Sequence, residues 1–285
     1  MNDSDLFLKL NGKLYDLRTP IVMGIVNITP DSFFSFSRYK SDRTLLQQVE
    51  TFLNDGATLI DIGGYSTRPQ AEPVSVDEEI QRISEALELI CKKFPEAVLS
   101  VDTFRSPVAR MAVQQYGVAM INDISGGTLD QQMFETIAGL QVAYVLMHTR
   151  GTPQHMQEHT DYEDVVAEVL QFLAKRVAQL RLLGVHDVVI DPGFGFAKTL
   201  EQNYEMMYKL AFFRQIQAPL LVGVSRKSMI YKLLETDPEG SLNGTTALNM
   251  LALMGGASIL RVHDVKEAVE TVKIFKAYSQ TTNKI

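Results

Sequence analysis

The chain has 285 residues, 46% of them hydrophobic, a net charge of -7 and an isoelectric point of about 5.3. That is enough apolar residue for one large α/β core or two small domains. The acidic balance, with no block of Lys or Arg, argues against a nucleic-acid or membrane-surface partner, since both need a contiguous basic footprint.

The single cysteine, Cys91, lies in the helical pattern ELICKKF and reads as a buried small hydrophobe. With no internal disulfide possible, a reducing, cytoplasmic setting is expected. MNDSDLFLKL lacks the basic start and continuous apolar run of a signal peptide. The longest nearly apolar stretch, Ala247 to Leu260, falls short of the roughly 20 residues of a membrane helix.

Leu6 to Leu17 reads as a β-hairpin turning at Asn11-Gly12. Ile21 to Val26 is the first of eight apolar runs. The others are Leu59–Ile62, Ala97–Val101, Ala119–Ile121, Val142–Met147, Val188–Ile190, Leu220–Val224 and Ser258–Val262. Most show no clean alternation, as expected of parallel strands covered on both faces.

Helical patterns fill the gaps. Asp42 to Asn54 stops at Asp55-Gly56. Ser75-Val-Asp-Glu78 reads as a capping box opening a helix through Phe94. Ser106-Pro107 reads as a cap with Pro at the first helical position. Asp130 to Ala138, Asp161 to Leu183 and Leu200 to Phe213 follow. Two pieces, Ser228 to Leu234 and Thr245 to Met254, precede a last helix, Asp264 to Tyr278. Eight strands alternating with eight helical units predict a parallel sheet with right-handed crossovers. The length fits a closed (β/α)₈ TIM barrel over 21–280 with an N-terminal β-hairpin over 1–20, in one domain of residues 1–285. An open doubly wound sheet is the runner-up, but GIVNITPDSF has no G-x-G-x-x-G turn.

In such a barrel, functional side chains sit where strands finish. Here every strand finishes on polar or functional groups: Asn27 and Asp31; Ser66, Thr67 and Arg68; Asp102; Asn122-Asp123; Met147-His148; Asp191; Ser225-Arg226-Lys227-Ser228; and Arg261, His263 and Asp264. A few such ends would be ordinary turn chemistry; eight converging on one rim point to a site. Asp102, Asn122 and Asp191 suit a flat N–H-rich heterocycle. Arg68, Arg226, Lys227, Arg261 and His263 offer cations for phosphate or carboxylate.

MGIVNITPDSF, GGYSTRP, SVDTF, INDISGG, DPGFGF, GVSRKS, GTTA and RVHDV, in this order over Met23 to Asp264, resemble the dihydropteroate synthase family of the folate pathway. The resemblance implies a TIM barrel and commonly a homodimer. It implies an enzyme joining 4-aminobenzoate to (7,8-dihydropterin-6-yl)methyl diphosphate with Mg²⁺, inhibited by sulfonamides, which mimic aminobenzoate. By matching motif, Asp102, Asn122, Asp191 and Lys227 hold the pterin with Met147 packed nearby. Thr67, Pro69, Phe196 and Ser228 frame the aminobenzoate, with Phe33 covering it. Asn27, Ser66, Thr67, Arg68, Arg261 and His263 handle diphosphate, and Asn27 the metal. Asp102, Lys227, Arg261 and His263 carry the catalysis. Many members continue TPDSF as SDGG; here Phe33 is followed by FSFSRYK, so no function passes to the absent acid.

A corrinoid methyltransferase would share the pterin side but has no use for STRP, SRKS or RVHDV. A non-catalytic paralogue would not need Asn27, Thr67, Arg68, Lys227, Arg261 and His263 intact. GFGFAKT fails as a phosphate loop, which makes Lys198 a solvated loop charge. His155 and His159 read as surface residues, because HMQEH is not the HExxH order of a zinc site. His148 stays outside the site, and His186 is a loop residue. Arg226 pairs either with substrate or with a structural carboxylate. Asp264 either orients His263 or caps the last helix.

Overall fold

The computed structural model describes residues 6–28, 38–65 and 74–282. A two-stranded antiparallel hairpin, β1 (Phe7–Leu10) and β2 (Lys13–Asp16), precedes the barrel. Asn11 and Gly12 both sit at positive φ, 47° and 76°, as a two-residue hairpin turn requires.

The barrel strands are β3 (Ile21–Asn27), β4 (Leu59–Gly63), β5 (Leu99–Asp102), β6 (Met120–Asp123), β7 (Ala143–Met147), β8 (Val188–Asp191), β9 (Leu221–Val222) and β10 (Ile259–Val262). All pair in parallel, in the order β8-β7-β6-β5-β4-β3-β10-β9. A single bridge between Ile190 and Leu220 joins the two ends, so the barrel is nearly closed. The expected strand Leu220–Val224 shortens to two residues at this seam.

The strands look uniformly apolar because both faces are buried by different partners. Val22, Ile60, Val101, Ile121, Leu146, Ile190, Val222 and Leu260 pack under the helices. Their neighbours Met23, Leu59, Met120, Val145, Val189, Leu221 and Ile259 face the other way. These form the barrel interior together with Leu8, Leu10 and Leu17 of the hairpin. The hairpin thus plugs the N-terminal end of the barrel, with Leu8 and Leu10 fully buried.

The helices are α1 (Arg38–Asp55), α2 (Val76–Lys93), α3 (Ser106–Tyr116), α4 (Met133–Leu140), α5 (Val165–Leu182), α6 (Leu200–Tyr208), α7 (Ser228–Tyr231), α8 (Leu242–Gly255) and α9 (Val265–Thr282). Several starts differ from the sequence reading for local reasons. Ser75 caps α2 through the Glu78 N–H, but Glu78 turns to Arg82, so only half of the capping box forms. The reciprocal box is at Thr199 and Gln202, on α6. Ser106 is helical; its N–H donates to Asp130 Oδ2 at 2.7 Å, while Asp130 Oδ1 accepts the Gln132 N–H at 2.9 Å in the turn that leads into α4 at Met133. The tail of the expected Leu200–Phe213 helix is a 3₁₀ segment, Leu210–Ile216. Cys91 is half-buried, its thiol directed at the Tyr116 carbonyl.

Candidate active site

Side chains two residues further along a strand point the same way. The interior that begins apolar at Leu59, Met120, Val145, Val189 and Ile259 therefore continues as Asp61, Asn122, Met147, Asp191 and Arg261. Parallel register sets Asn27 beside Gly63, Gly63 beside Asp102, and Asp102 beside Asn122. Met147 lies beside Asp191. The polar end of this interior is the C-terminal mouth of the barrel, where sites of this fold are built.

Arg261 organises the centre. Its Nε donates to Asp61 Oδ2 and its Nη2 to Asp102 Oδ2, both at 2.7 Å. Asp61 Oδ2 also accepts from Asn122 Nδ2 at 2.9 Å. One chain of bonds thus joins β4, β5, β6 and β10. Asp61 is fully buried, and its Oδ1 has no hydrogen-bond partner among the described residues. Burial pushes the Asp102 carboxyl up to about 7, with Arg261 opposing and Asp61 adding to the rise. Burial also works against the Arg261 charge, but Asp61 and Asp102 outweigh it and hold the guanidinium charged.

The second half of the site is the loop after β8. Asp191 accepts the Gly193 N–H at 2.7 Å, and burial raises its carboxyl while Lys227 opposes. The Lys227 ammonium donates to the Phe194 carbonyl and lies 4.7 Å from the Phe196 ring centre. Burial lowers Lys227 to about 8, against the attraction of Asp191. Ser228 follows at the start of α7.

Lys227 is aimed by its neighbour. Arg226 has φ 57°, a left-handed conformation that costs a non-glycine residue about 1–2 kcal/mol. Its N–H donates to Thr245 Oγ1 at 3.2 Å, which gives the GTTA motif a structural task. Its guanidinium grips Asp264 with two bonds, of 3.1 and 2.6 Å. Arg226 therefore belongs to the structural alternative, and Asp264 serves it rather than His263.

His263 is not a cation. Burial first, with the Arg261 charge adding to it, lowers it to about 4. Ser225 Oγ accepts the His263 backbone N–H at 3.1 Å and lies 3.1 Å from Nδ1. The hydroxyl can donate to Nδ1 or accept from it, so this contact holds the ring in place in either neutral tautomer.

Lys198 is a correction. It is 3% exposed, not solvated, and donates to the Gly193 and Phe196 carbonyls at 3.0 and 2.9 Å. His148, excluded from the sequence reading, is its third partner at 3.1 Å. Asp123 is structural: its carboxylate accepts from Ser125, Gly127 and Tyr144, which shapes the INDISGG turn. His155 and His159 are exposed, as expected. Asp31, Phe33, Ser66, Thr67, Arg68 and Pro69 lie outside the described residues. The stems of the latter segment are clamped by Arg105, which donates to the Val74 carbonyl and to Glu79 at 2.7 Å and stacks over Tyr65.

No helix among the described residues is long and apolar enough to cross a membrane.

The comparisons agree with this geometry. Residues 23–263 match the model of the pterin binding enzyme family. Dihydropteroate synthase of Escherichia coli K12 is 42% identical over 93% of this chain and 94% of its own length. That of Synechocystis is 43% identical over 90% and 89%. A Yersinia pestis dihydropteroate synthase structure with a sulfonamide drug superposes with a TM-score of 0.88 at 38% identity, covering 96% of this chain and 99% of that one. A Thermus thermophilus structure in complex with 4-aminobenzoate gives 0.85 at 36% identity, covering 95% and 99%.

A nearly closed barrel with this polar mouth places the chain among the pterin-binding TIM-barrel enzymes. Within that class it belongs to the dihydropteroate synthase family, the transferases that form dihydropteroate in folate biosynthesis.

Proposed function

We propose that the mouth of the barrel carries out the condensation of (7,8-dihydropterin-6-yl)methyl diphosphate with 4-aminobenzoate by an SN1-like substitution. The observation that carries this reading is the Asp61–Arg261–Asp102 bridge beside Asn122, a fixed set of acceptors and one cation in a buried pocket. The acceptors of Asp102, Asn122 and Asp191 take the N–H groups of the pterin edge, with Lys227 and Met147 against the ring. The methylene–oxygen bond breaks with its electron pair leaving on diphosphate. The resulting cation is delocalised into the pterin, and the buried Asp102 and Asp191 carboxylates stabilise it electrostatically. The neutral arylamine attacks to form the C–N bond and then loses a proton to solvent. No protein nucleophile is needed.

Arg261 spends Nε and one Nη2 hydrogen on carboxylates, which leaves Nη1 for the leaving diphosphate. Neutral His263, held by Ser225, adds a hydrogen-bonding ring nitrogen on the same side. Asn27, Ser66, Thr67 and Arg68 complete the diphosphate side. Phe196, Ser228, Thr67, Pro69 and Phe33 frame the aminobenzoate.

Among the described residues, no cluster of three His, Cys, Asp or Glu side chains could cage a metal. Mg²⁺ needs none, because it is commonly held by one or two protein groups together with substrate phosphates and water. The Asn27 amide makes no hydrogen bond to another described side chain and fits that part. Bound Mg²⁺ supplies charge neutralisation on the leaving diphosphate.

Leu251 and Met254 of α8 and Ile274 and Tyr278 of α9 are exposed on two helices that pack together. That apolar face supports a homodimer. The single cysteine supports a cytoplasmic setting. We take residues 1–285 as one working domain.

The test is turnover of both substrates, with product separated by chromatography, in Mg²⁺ and in chelator. Activity should require the metal, and Lys227→Ala should lose most of it. Full activity of that variant, or metal-independent turnover, would remove the corresponding role.

A further inference from the structure

Lys198 is a buried lysine with no carboxylate partner: among the described residues it forms no ion pair, and burial lowers it to about 7. An unpaired buried charge is costly unless its donors are satisfied. All three are: Gly193 O at 3.0 Å, Phe196 O at 2.9 Å and His148 Nδ1 at 3.1 Å. Burial holds His148 at about 2, with the Lys198 charge adding to the effect, so the imidazole is neutral and its Nδ1 accepts. Asp191, Lys227 and Arg150 are the charged groups whose fields reach the ammonium.

The two carbonyls that Lys198 grips bracket Phe194, whose own carbonyl receives the Lys227 ammonium. The second of them belongs to Phe196, whose ring lies beside that ammonium. Elsewhere the loop has little slack. At Gly193 an added Cβ would come within 2.0 Å of the His148 carbonyl. The Gly195 N–H is tied to Asn203 Oδ1 at 2.7 Å. Gln157 Nε2 holds the Gly195 carbonyl at 3.1 Å, and Lys198 is the side chain that holds the Gly193 and Phe196 carbonyls on either side of it.

We propose that Lys198 is a positioning residue: by gripping the Gly193 and Phe196 carbonyls and His148, it fixes the Phe196 wall and the Lys227 ammonium in the geometry that receives the aminobenzoate. This rests on the roles given above to Phe196 and Lys227, and the two can fail separately. If Lys227→Ala and Phe196→Ala retain full activity, the site assignment fails. If they lose activity while Lys198 variants do not, only the positioning role fails.

The experiment compares wild type with Lys198→Met, Lys198→Gln, Phe196→Ala and the double variant Lys198→Met/Phe196→Ala in steady-state kinetics. Melting temperatures are measured alongside. Methionine keeps the stem volume and removes the donors; glutamine keeps an amide donor. Misplacement of a reacting partner by about 1 Å can cost on the order of 100-fold, so Lys198→Met should lower kcat/KM for aminobenzoate by that order. A rise in its KM should carry much of the loss, and Lys198→Gln should recover part of it. Residues acting on one wall are non-additive, so the same change should cost only a few-fold in the Phe196→Ala background. A purely structural lysine would lower kcat and melting temperature together with KM unchanged, and that result overturns the proposal. So do full additivity with Phe196→Ala and unchanged kinetics in Lys198→Met. If Lys198→Met does not fold, Lys198→Gln decides: wild-type KM and kcat in that variant also overturn it.

Discussion

Asp61 offers the sharpest test of the site's internal logic. Replacing it by Ala removes the acceptor of two bonds, from Arg261 Nε at 2.7 Å and Asn122 Nδ2 at 2.9 Å. A hydrogen bond to a charged group contributes about 1.5–3 kcal/mol, so the two together are worth about 3–6 kcal/mol. The same range, about 3–5 kcal/mol, is typical when one partner of a buried ion pair is removed. One effect opposes the loss. The Asp61 charge is among the forces raising the Asp102 carboxyl, so without it Arg261 is held wholly by Asp102, which ionises more readily. One unit of that relief is worth about 1.4 kcal/mol. The net expectation is a loss of about 2–4 kcal/mol for Asp61→Ala, and roughly half for Asp61→Asn, which keeps an acceptor without the charge. Urea unfolding followed by circular dichroism measures both. Binding of a pterin analogue by calorimetry should weaken on the order of 10- to 100-fold, because Asn122 and Arg261 lose their common anchor. A loss below about 1 kcal/mol with unchanged pterin affinity would refute the role of Asp61 as the keystone.

Lys198 is held down from the ordinary lysine value of 10.5 to about 7, by burial first. Its folded-state value is depressed, so its contribution to stability is present above 10.5 and is lost as pH falls through about 7. Unfolding free energy measured from pH 10 to pH 6 should therefore decline less steeply in Lys198→Met than in wild type, and equal slopes would contradict this. Gly193→Ala combines φ 74° with a Cβ pressed against the His148 carbonyl, so it should lower the melting temperature and aminobenzoate turnover together. Leu8→Ala empties part of the barrel plug and should cost about 2–5 kcal/mol in unfolding experiments while leaving both KM values unchanged.

The barrel was legible because its strands and helices alternate and each strand changes from apolar to polar at one end. The hairpin was legible from Asn11-Gly12. Element ends were less so. Asp130 looks like the start of its own helix, but its carboxylate is shared between the Gln132 N–H two residues on and the Ser106 N–H, 24 residues back. The rim residues Asp102, Asn122, Asp191, Lys227, Arg261 and His263 were readable as strand ends, and they do converge. Asp61 was missed because it sits inside LIDIG, where a carboxylate breaks an apolar run; the period of two from Leu59 was the available signal. Lys198 was misread because nothing local distinguishes a buried lysine from a solvated one after GFGF. Its burial comes from Phe196, Gly193 and His148, and His148 lies 50 residues away. The charge of His263 was misjudged for the same reason: burial and Arg261, not its neighbours in sequence, set it.

The measurement that bears most directly on the account is a crystal structure of this protein with a pterin analogue and 4-aminobenzoate bound. The pterin edge should face the oxygens of Asp102, Asn122 and Asp191, with the Lys227 ammonium beside the ring and the aminobenzoate against Phe196. A pterin bound away from these side chains, or an aminobenzoate that leaves Phe196 and Lys227 untouched, would contradict it.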